Sequence, residues 1–248
     1  YRILQQLRHP NLTEVQDVFC CHGFLYVIEQ FLEGRTLTQV LEEQGASKNL
    51  ACSVAKQILA ALCVLHANGI IHRDIKPDNI LMDSQGKAWL IDFDIARLFS
   101  EEKGTDTAPK GTRAYAPPEQ YGFQQTDARA DIYSLGVTVN EAAAGNLPED
   151  GVCGGFLGIF VRRCTELDPK RRYQTAAQAL AQLRRLEKRR LIPVLGAAAA
   201  LGLTVAAGAW LVRRPAATGS AAPGGSAAYE ARAEEEASVS GPAAEEES

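Results

Sequence analysis

No C-x-x-C pair occurs in this chain, although it carries six cysteines (Cys20, Cys21, Cys52, Cys63, Cys153 and Cys164). Their spacing therefore marks no redox or zinc motif. Thiols set in apolar runs read as small buried side chains in a reduced compartment. A three-residue glycine period is also missing, which excludes a collagen-like chain. Hydrophobic residues make up 46% of the 248, which excludes disorder throughout. Positive charge is not in excess: 26 Lys+Arg face 30 Asp+Glu, a net charge of −4, so nucleic acid is not an expected partner. An initiator methionine is absent too. The single Met is Met82 and the first residue is Tyr1, so the sequence is expected to begin partway through its protein. What remains is length and apolar content enough for one large domain or two small ones.

Composition divides the chain in three. Residues 1 to about 187 have the mixture of a globular domain. Residues 191–212 contain no charge, and 22 residues at about 1.5 Å each span roughly 33 Å, the depth of a bilayer hydrocarbon core. The pattern predicts a transmembrane helix, the alternative being a buried core helix. Its position excludes a signal peptide. Arg184, Arg185, Lys188, Arg189 and Arg190 precede the span, and only Arg213 and Arg214 follow it. The positive-inside rule then puts residues 1–190 in the cytoplasm and 213–248 outside, with 188–190 as a basic juxtamembrane step. The outer segment is rich in Ala, Gly, Ser and Pro. It balances three Arg against seven Glu, so the net negative charge of the whole chain resides there. It reads as a disordered tail. Gly196 and Ala200 have the small-x-x-x-small spacing of a homodimer contact, which arises readily by chance in an Ala-rich helix.

Within residues 1–187 the pattern is α+β, strands first and helices dominating later. Phe24–Ile28 reads as a strand, ending at a turn around Glu33-Gly34. Leu50 to Asn68 has helical spacing, stopped by Asn68-Gly69. Asn79–Met82 and Ala88–Ile91 read as strands around Asp83-Ser84-Gln85-Gly86. Asp131–Ala143 and Thr175–Leu186 read as helices, the latter opening on a Thr175…Gln178 capping box.

One constellation stands out. His72-Arg73-Asp74-Ile75-Lys76-Pro77-Asp78-Asn79 is followed by Asp92-Phe93, with Asp92 thirteen residues after Asn79. Singly, each has a plain role as a cap, a turn residue or a solvated charge. Together they fit phosphoryl transfer to a hydroxyl, which needs hard oxygen ligands converging on metal-bound phosphates. Asn79 and Asp92, at the two ends of a hairpin, supply those oxygens. Asp74 orients the acceptor hydroxyl and takes its proton, and Lys76 brings a mobile positive charge to the phosphate.

With these residues the chain resembles the eukaryotic-like Ser/Thr protein kinases of bacteria, over residues 1 to about 187. Leu7-Arg8-His9-Pro10-Asn11-Leu12 is similar to the segment after helix C, and Leu25–Glu29 to the strand entering the hinge, with Ile28 as gatekeeper. The resemblance implies an N-lobe remnant and hinge at 1–33 and a helical C-lobe at 34–187. It implies ATP with Mg2+ (or Mn2+) on Asn79 and Asp92, and adenine held by the backbone of Glu29 and Phe31, with Lys76 on the phosphate. Gly111–Glu119 resembles the end of the activation segment, where Thr112 would hydrogen-bond Asp74 and Pro118 replaces the usual Ala of A-P-E. Asp131–Gly136 is similar to the start of helix F, whose Asp supports the catalytic loop. Arg172 stands where the family pairs an Arg with Glu119. Glu119, Asp131 and Arg172 would thus be scaffold. Lys76 favours Ser/Thr acceptors, since tyrosine kinases usually carry an Ala-Arg pattern there. Between Asp92 and Gly111 lie Ser100, Thr105 and Thr107. Thr105 and Thr107 resemble the paired threonines these kinases autophosphorylate, and Arg73 is the cation to receive the phosphate.

Two departures follow. No glycine-rich loop and no ATP-anchoring Lys occurs before the hinge, and the helix C Glu would fall one position before Tyr1, as in an N-terminally truncated sequence. Asp94 replaces the Gly of D-F-G, which would slow the loop's switching or mark a pseudokinase. Gly145–Gly155 is compact, an abbreviated substrate-docking region. Two functions are therefore expected in turn: a membrane-anchored Ser/Thr protein kinase in signalling, acting on protein substrates, or a membrane-tethered pseudokinase scaffold.

Overall fold

The computed structural model describes residues 3–93, 97–98, 112–121 and 126–189. The span expected at 191–212 and the tail at 213–248 lie outside the described residues. So do Asp94, Ser100, Thr105 and Thr107.

The first strands, β1 (Val15–Cys21) and β2 (Phe24–Glu29), form an antiparallel ribbon. Its turn is His22-Gly23, both at positive φ (50° and 80°), the twist that suits a two-residue hairpin. Phe19 stacks on Tyr26 with ring centroids 5.2 Å apart, yet both stay exposed, as do Phe24 and Ile28. Cys20 and Cys21 are exposed as well, against the expectation of buried thiols. The physical reason is that each ribbon strand has one partner among the described residues. Cys52, Cys153 and Cys164 do lie in the core, and Cys63 is intermediate.

After segment 30–34, exposed except for the half-buried Leu32, β3 (Arg35–Thr36) leads into α1 (Leu37–Gln44). A full capping box starts that helix: Thr36 Oγ1 accepts from Gln39 N–H, and Gln39 Oε1 accepts from Thr36 N–H. Ser47 caps α2 (Lys48–Ala67), which buries Ala51, Val54, Ala55, Ile58, Leu59, Leu62 and Leu65. Of the described helices, α2 is the one long and apolar enough to cross a membrane. Its apolar residues pack instead into the core, and Gly69 at φ 69° ends it.

Next come β4 (Ile70–Ile71), a 3₁₀ turn (Pro77–Asn79), β5 (Ile80–Met82) and β6 (Ala88–Leu90). The expected hairpin thus forms one residue shorter at each outer end, with Ile80 opposite Leu90 and Met82 opposite Ala88. Asn79 belongs to the 3₁₀ turn rather than to a strand, because Pro77 starts a turn that Asn79 N–H closes on Lys76 O. Asp83 Oδ1 accepts from the N–H groups of Gln85 and Lys87 and shapes the loop. β3 adds to the free edge of β5, and β7 (Arg97–Leu98) pairs with β4.

The remaining helices are α3 (Arg129–Ala144), α4 (Phe156–Cys164) and α5, described over 176–189. α3 is buried almost all round and ends on Gly145 in the left-handed region. At α5, Thr175 Oγ1 accepts from Gln178 N–H, but Gln178 Oε1 reaches Gln174 N–H rather than Thr175 N–H, so only half of the expected box closes. Ala176, Ala179, Leu183 and Leu186 of α5 enter the core, and Lys56 Nζ of α2 holds Glu187 at 2.8 Å.

α3 and α4 cross at Gly136. A Cβ there would lie 2.4 Å from Cys164 Cβ and 3.1 Å from Thr165 Cγ2, closer than side chains approach. Gly136→Ala should therefore cost about 1–3 kcal/mol by overpacking. A urea unfolding midpoint equal to wild type would contradict this packing.

Candidate active site

The loop between β4 and the 3₁₀ turn carries His72 to Lys76, and its shape is imposed from beneath. Asp131, fully buried at the first turn of α3, accepts from the backbone N–H of His72 at 2.9 Å and of Arg73 at 2.8 Å. Its Oδ2 also meets His66 Nε2 at 2.7 Å. Burial pushes this carboxyl up, but the hydrogen bond and charge of His66 and the neighbouring N–H groups outweigh it, leaving the acid below its usual range. Arg73 sits at φ 73°, a conformation that costs a non-glycine residue free energy and persists only where the surroundings enforce it. The clamp on its N–H is that enforcement. Gln120 Nε2 adds a bond to Arg73 O at 2.8 Å, and Thr138 Oγ1 reaches Ile75 O at 3.4 Å.

The functional groups converge above this clamp. Asp74 Oδ1 accepts from Thr112 N–H and from Thr112 Oγ1–H, both at 3.1 Å. Asp74 Oδ2 accepts from Asn79 Nδ2 and lies 2.9 Å from Lys76 Nζ, which also donates to Thr112 Oγ1 at 2.8 Å. Asp74, Lys76, Asn79 and Thr112 thus form one hydrogen-bonded cluster. Partial burial alone would raise the Asp74 carboxyl. The hydrogen bonds from Lys76 and Thr112 overcome it and hold the group below the usual carboxylate range. Asp74 is therefore ionised at neutral pH, an acceptor rather than a donor.

Asp92 follows β6 by two residues. Ile91 N–H bonds Asn79 O at 3.0 Å, so the two chain segments are tied together immediately before Asp92. Asp92 is exposed and left-handed at φ 66°, a region Asp tolerates better than most residues. Beneath it Phe93 is buried edge-on against His72, centroids 5.2 Å apart, and burial holds the His72 imidazole below its ordinary pKa.

A divalent cation fits this donor set. Asn79 Nδ2 is committed to Asp74, leaving Oδ1 as the atom to face a cation, and Asp92 offers carboxylate oxygens at the surface. No group of three or more His, Cys, Asp or Glu side chains that could hold a metal occurs among the described residues. Directly after β2, Gln30 N–H is used by Glu14 O, whereas Phe31 backbone makes no hydrogen bond among the described residues. The Phe31 side chain is 90% exposed.

Away from the reacting groups, Arg172 is 0% exposed and grips both carboxylate oxygens of Glu119. It also donates to the carbonyls of Glu166, Leu167 and Arg129 and lies 4.8 Å from the Tyr133 ring centroid. His66, Gln120 and Thr138 escaped the sequence reading, which reached the loop and, through the family resemblance, Asp131 beneath it. The available signal was polarity on a buried helix: α3 buries Asp131, Ser134, Thr138 and Asn140. Such groups must find partners, and here Asp131 and Thr138 find them in the loop backbone.

The family described as "Protein kinase domain" matches residues 1–153. A probable serine/threonine-protein kinase of Clostridium perfringens is 30% identical over 210 residues, which is 75% of this chain and 31% of that protein. The probable serine/threonine-protein kinase PknB of Lactococcus lactis is 35% identical over 150 residues, 60% of this chain and 24% of its own length. Serine/threonine-protein kinase PrkC of Bacillus subtilis is 29% identical over 203 residues, 72% of this chain and 31% of its own. The matched part of the chain therefore spans about a quarter to a third of the length of these three relatives.

Proposed function

Because this chain belongs to the protein kinase family, we propose that its gene product transfers the γ-phosphate of ATP to Ser/Thr hydroxyls of proteins. The observation that carries this reading is the single cluster of Asp74, Lys76, Asn79 and Thr112 held over the Asp131 clamp. Bound ATP supplies the phosphoryl group, and its divalent cation neutralises charge on the phosphate oxygens. Asn79 and Asp92 would hold that cation, and the backbone of Glu29 and Phe31 would hold the adenine. Asp74, ionised and fixed by Thr112, accepts the proton of the incoming hydroxyl at one of its carboxylate oxygens. Lys76 exchanges its contact with Asp74 for the transferring group. Labelled phosphate passing from ATP to a serine-containing protein tests the reading. Absence of transfer under all metal conditions leaves the scaffold reading, which Asp94 favours.

In this reading residues 1–33 belong to the N-lobe and hinge, and 34–187 to the C-lobe. Residues 191–212 cross the cell membrane with the catalytic part in the cytoplasm, as their uncharged run and the basic residues before it support. Autophosphorylation at Thr105 or Thr107 places a phosphate where Arg73 can pair with it and order the segment. Mass spectrometry of active protein should find one of these threonines modified. Phosphate on neither removes this regulatory step.

A further inference from the structure

A groove of about 820 Å³ lies far in sequence from the catalytic loop, between α4 and α5. Arg162 and Arg163 of α4 and Arg185 of α5 line it, with Tyr173, Ile159 and the carboxylate of Glu166. Glu166 is taken by Arg171 at 3.5 Å. Among the described residues the three lining arginines have no carboxylate partner, and Arg163 lies 5.8 Å from the Tyr173 ring centroid. Two aliphatic side chains on this stretch of chain are exposed: Ile159 of the groove lining at 59%, and Leu167, which follows the lining residue Glu166, at 71%. Cations around a cleft with protruding aliphatics match an interface of anionic headgroups over acyl chains.

The chain's own course favours that occupant. One face of α5 enters the core through Ala176, Ala179, Leu183 and Leu186, and the groove face carries Gln178, Gln182 and Arg185. Lys188 and Arg189 follow Arg185 at helical spacing and are exposed. Arg185 is separated from Leu191, where the uncharged run starts, by no more than about 13 Å of chain. That is close to a Debye length, within which anionic lipid attracts basic side chains.

We propose that this groove binds anionic phospholipid headgroups, seating the catalytic part on the inner membrane face. The inference rests on the membrane reading given above. A soluble acidic or phosphorylated peptide would use the same cations, but would gain nothing from the adjoining uncharged run.

The test uses the full chain in nanodiscs of phosphatidylcholine alone or of equal parts phosphatidylcholine and phosphatidylglycerol. Phenylglyoxal, a neutral arginine reagent, is followed by mass spectrometry. Arg162 and Arg163 should be modified about fivefold more slowly in the anionic discs, the preference expected of one cation at an anionic surface. Arg35, remote in sequence and exposed, should not change. The exposed double variant Arg162→Gln/Arg163→Gln should keep the wild-type thermal midpoint and lose the lipid-dependent protection of Arg185. Equal rates in both discs overturn the proposal. So does equal protection by glycerol phosphate or by an acidic phosphopeptide added to phosphatidylcholine discs. Carbonate extraction separates this from failure of the membrane reading. If the chain washes off membranes, vesicles of the anionic mixture must still protect Arg162 and Arg163, and no protection there overturns the groove as well.

Discussion

Asp74→Asn should lower phosphoryl transfer by the natural gene product about 10²–10⁴-fold, the range for losing a general base. The substitution keeps the size of the side chain and removes its charge. At present Oδ1 accepts from Thr112 and Oδ2 from Asn79 and Lys76, so every contact needs an acceptor. An amide has one oxygen and one NH2 group. Whichever way it turns, its NH2 opposes a donor, the Thr112 N–H on one side or the Asn79 amide and Lys76 ammonium on the other. The fold should persist, because Asp131 holds the loop backbone independently of Asp74. Radiolabel transfer and the thermal midpoint, measured together, separate chemistry from folding. Wild-type transfer by the variant would falsify the role given to Asp74. The pH dependence has a defined sign. A carboxyl depressed in the folded state contributes stability that is present above its unfolded value, near about 4, and is lost as pH falls through the lower folded value. An acid limb of activity near neutrality would therefore belong to another group.

The second large effect concerns stability. Glu119→Ala should cost about 3–5 kcal/mol, because it leaves the Arg172 guanidinium buried with carbonyl oxygens but no counter-charge. For a domain of this size that corresponds to a thermal midpoint lower by roughly 10 °C. The double variant Glu119→Leu/Arg172→Met should recover most of the loss, since a well-packed apolar pair avoids desolvating two charges. Urea unfolding checks both. A cost under about 1 kcal/mol for Glu119→Ala would mean the pair behaves like an exposed ion pair. The effect should be large because Arg172 binds three segments at once: the turn at Pro118–Gln120, the start of α3, and the connection between α4 and α5.

How much was legible varied with the range of the interactions. α2 could be read to within two residues, since its stop at Asn68-Gly69 and its apolar spacing are local properties. The β5–β6 hairpin was also legible, through Asp83 and Gly86. β1, α1 and α4 were not anticipated. β1 has an exposed pattern with no alternation, and its register depends on β2 across the turn. The cysteines illustrate the same limit, because Cys20 and Cys52 each have an apolar residue immediately before them and opposite exposure in the fold.

The linear sequence by itself determined the chemical inventory: a loop with Asp74, Lys76 and Asn79 at short spacing, Asp92 beyond a hairpin, and an uncharged run after a basic one. Short spacings and composition are independent of packing, so they can be read from one chain. The family resemblance pointed to Asp131 as support for the loop, and tertiary structure alone added His66, Gln120 and Thr138 to it. Asp131 lies 57 residues after Asp74 in the chain and His66 eight before it, yet together they set the loop from beneath. It also decided that Arg172 would be wholly buried while Arg162 and Arg163 face solvent along a groove. Burial fixes whether a charge must be paired internally or remains available to a partner, and burial is set by which helices pack together.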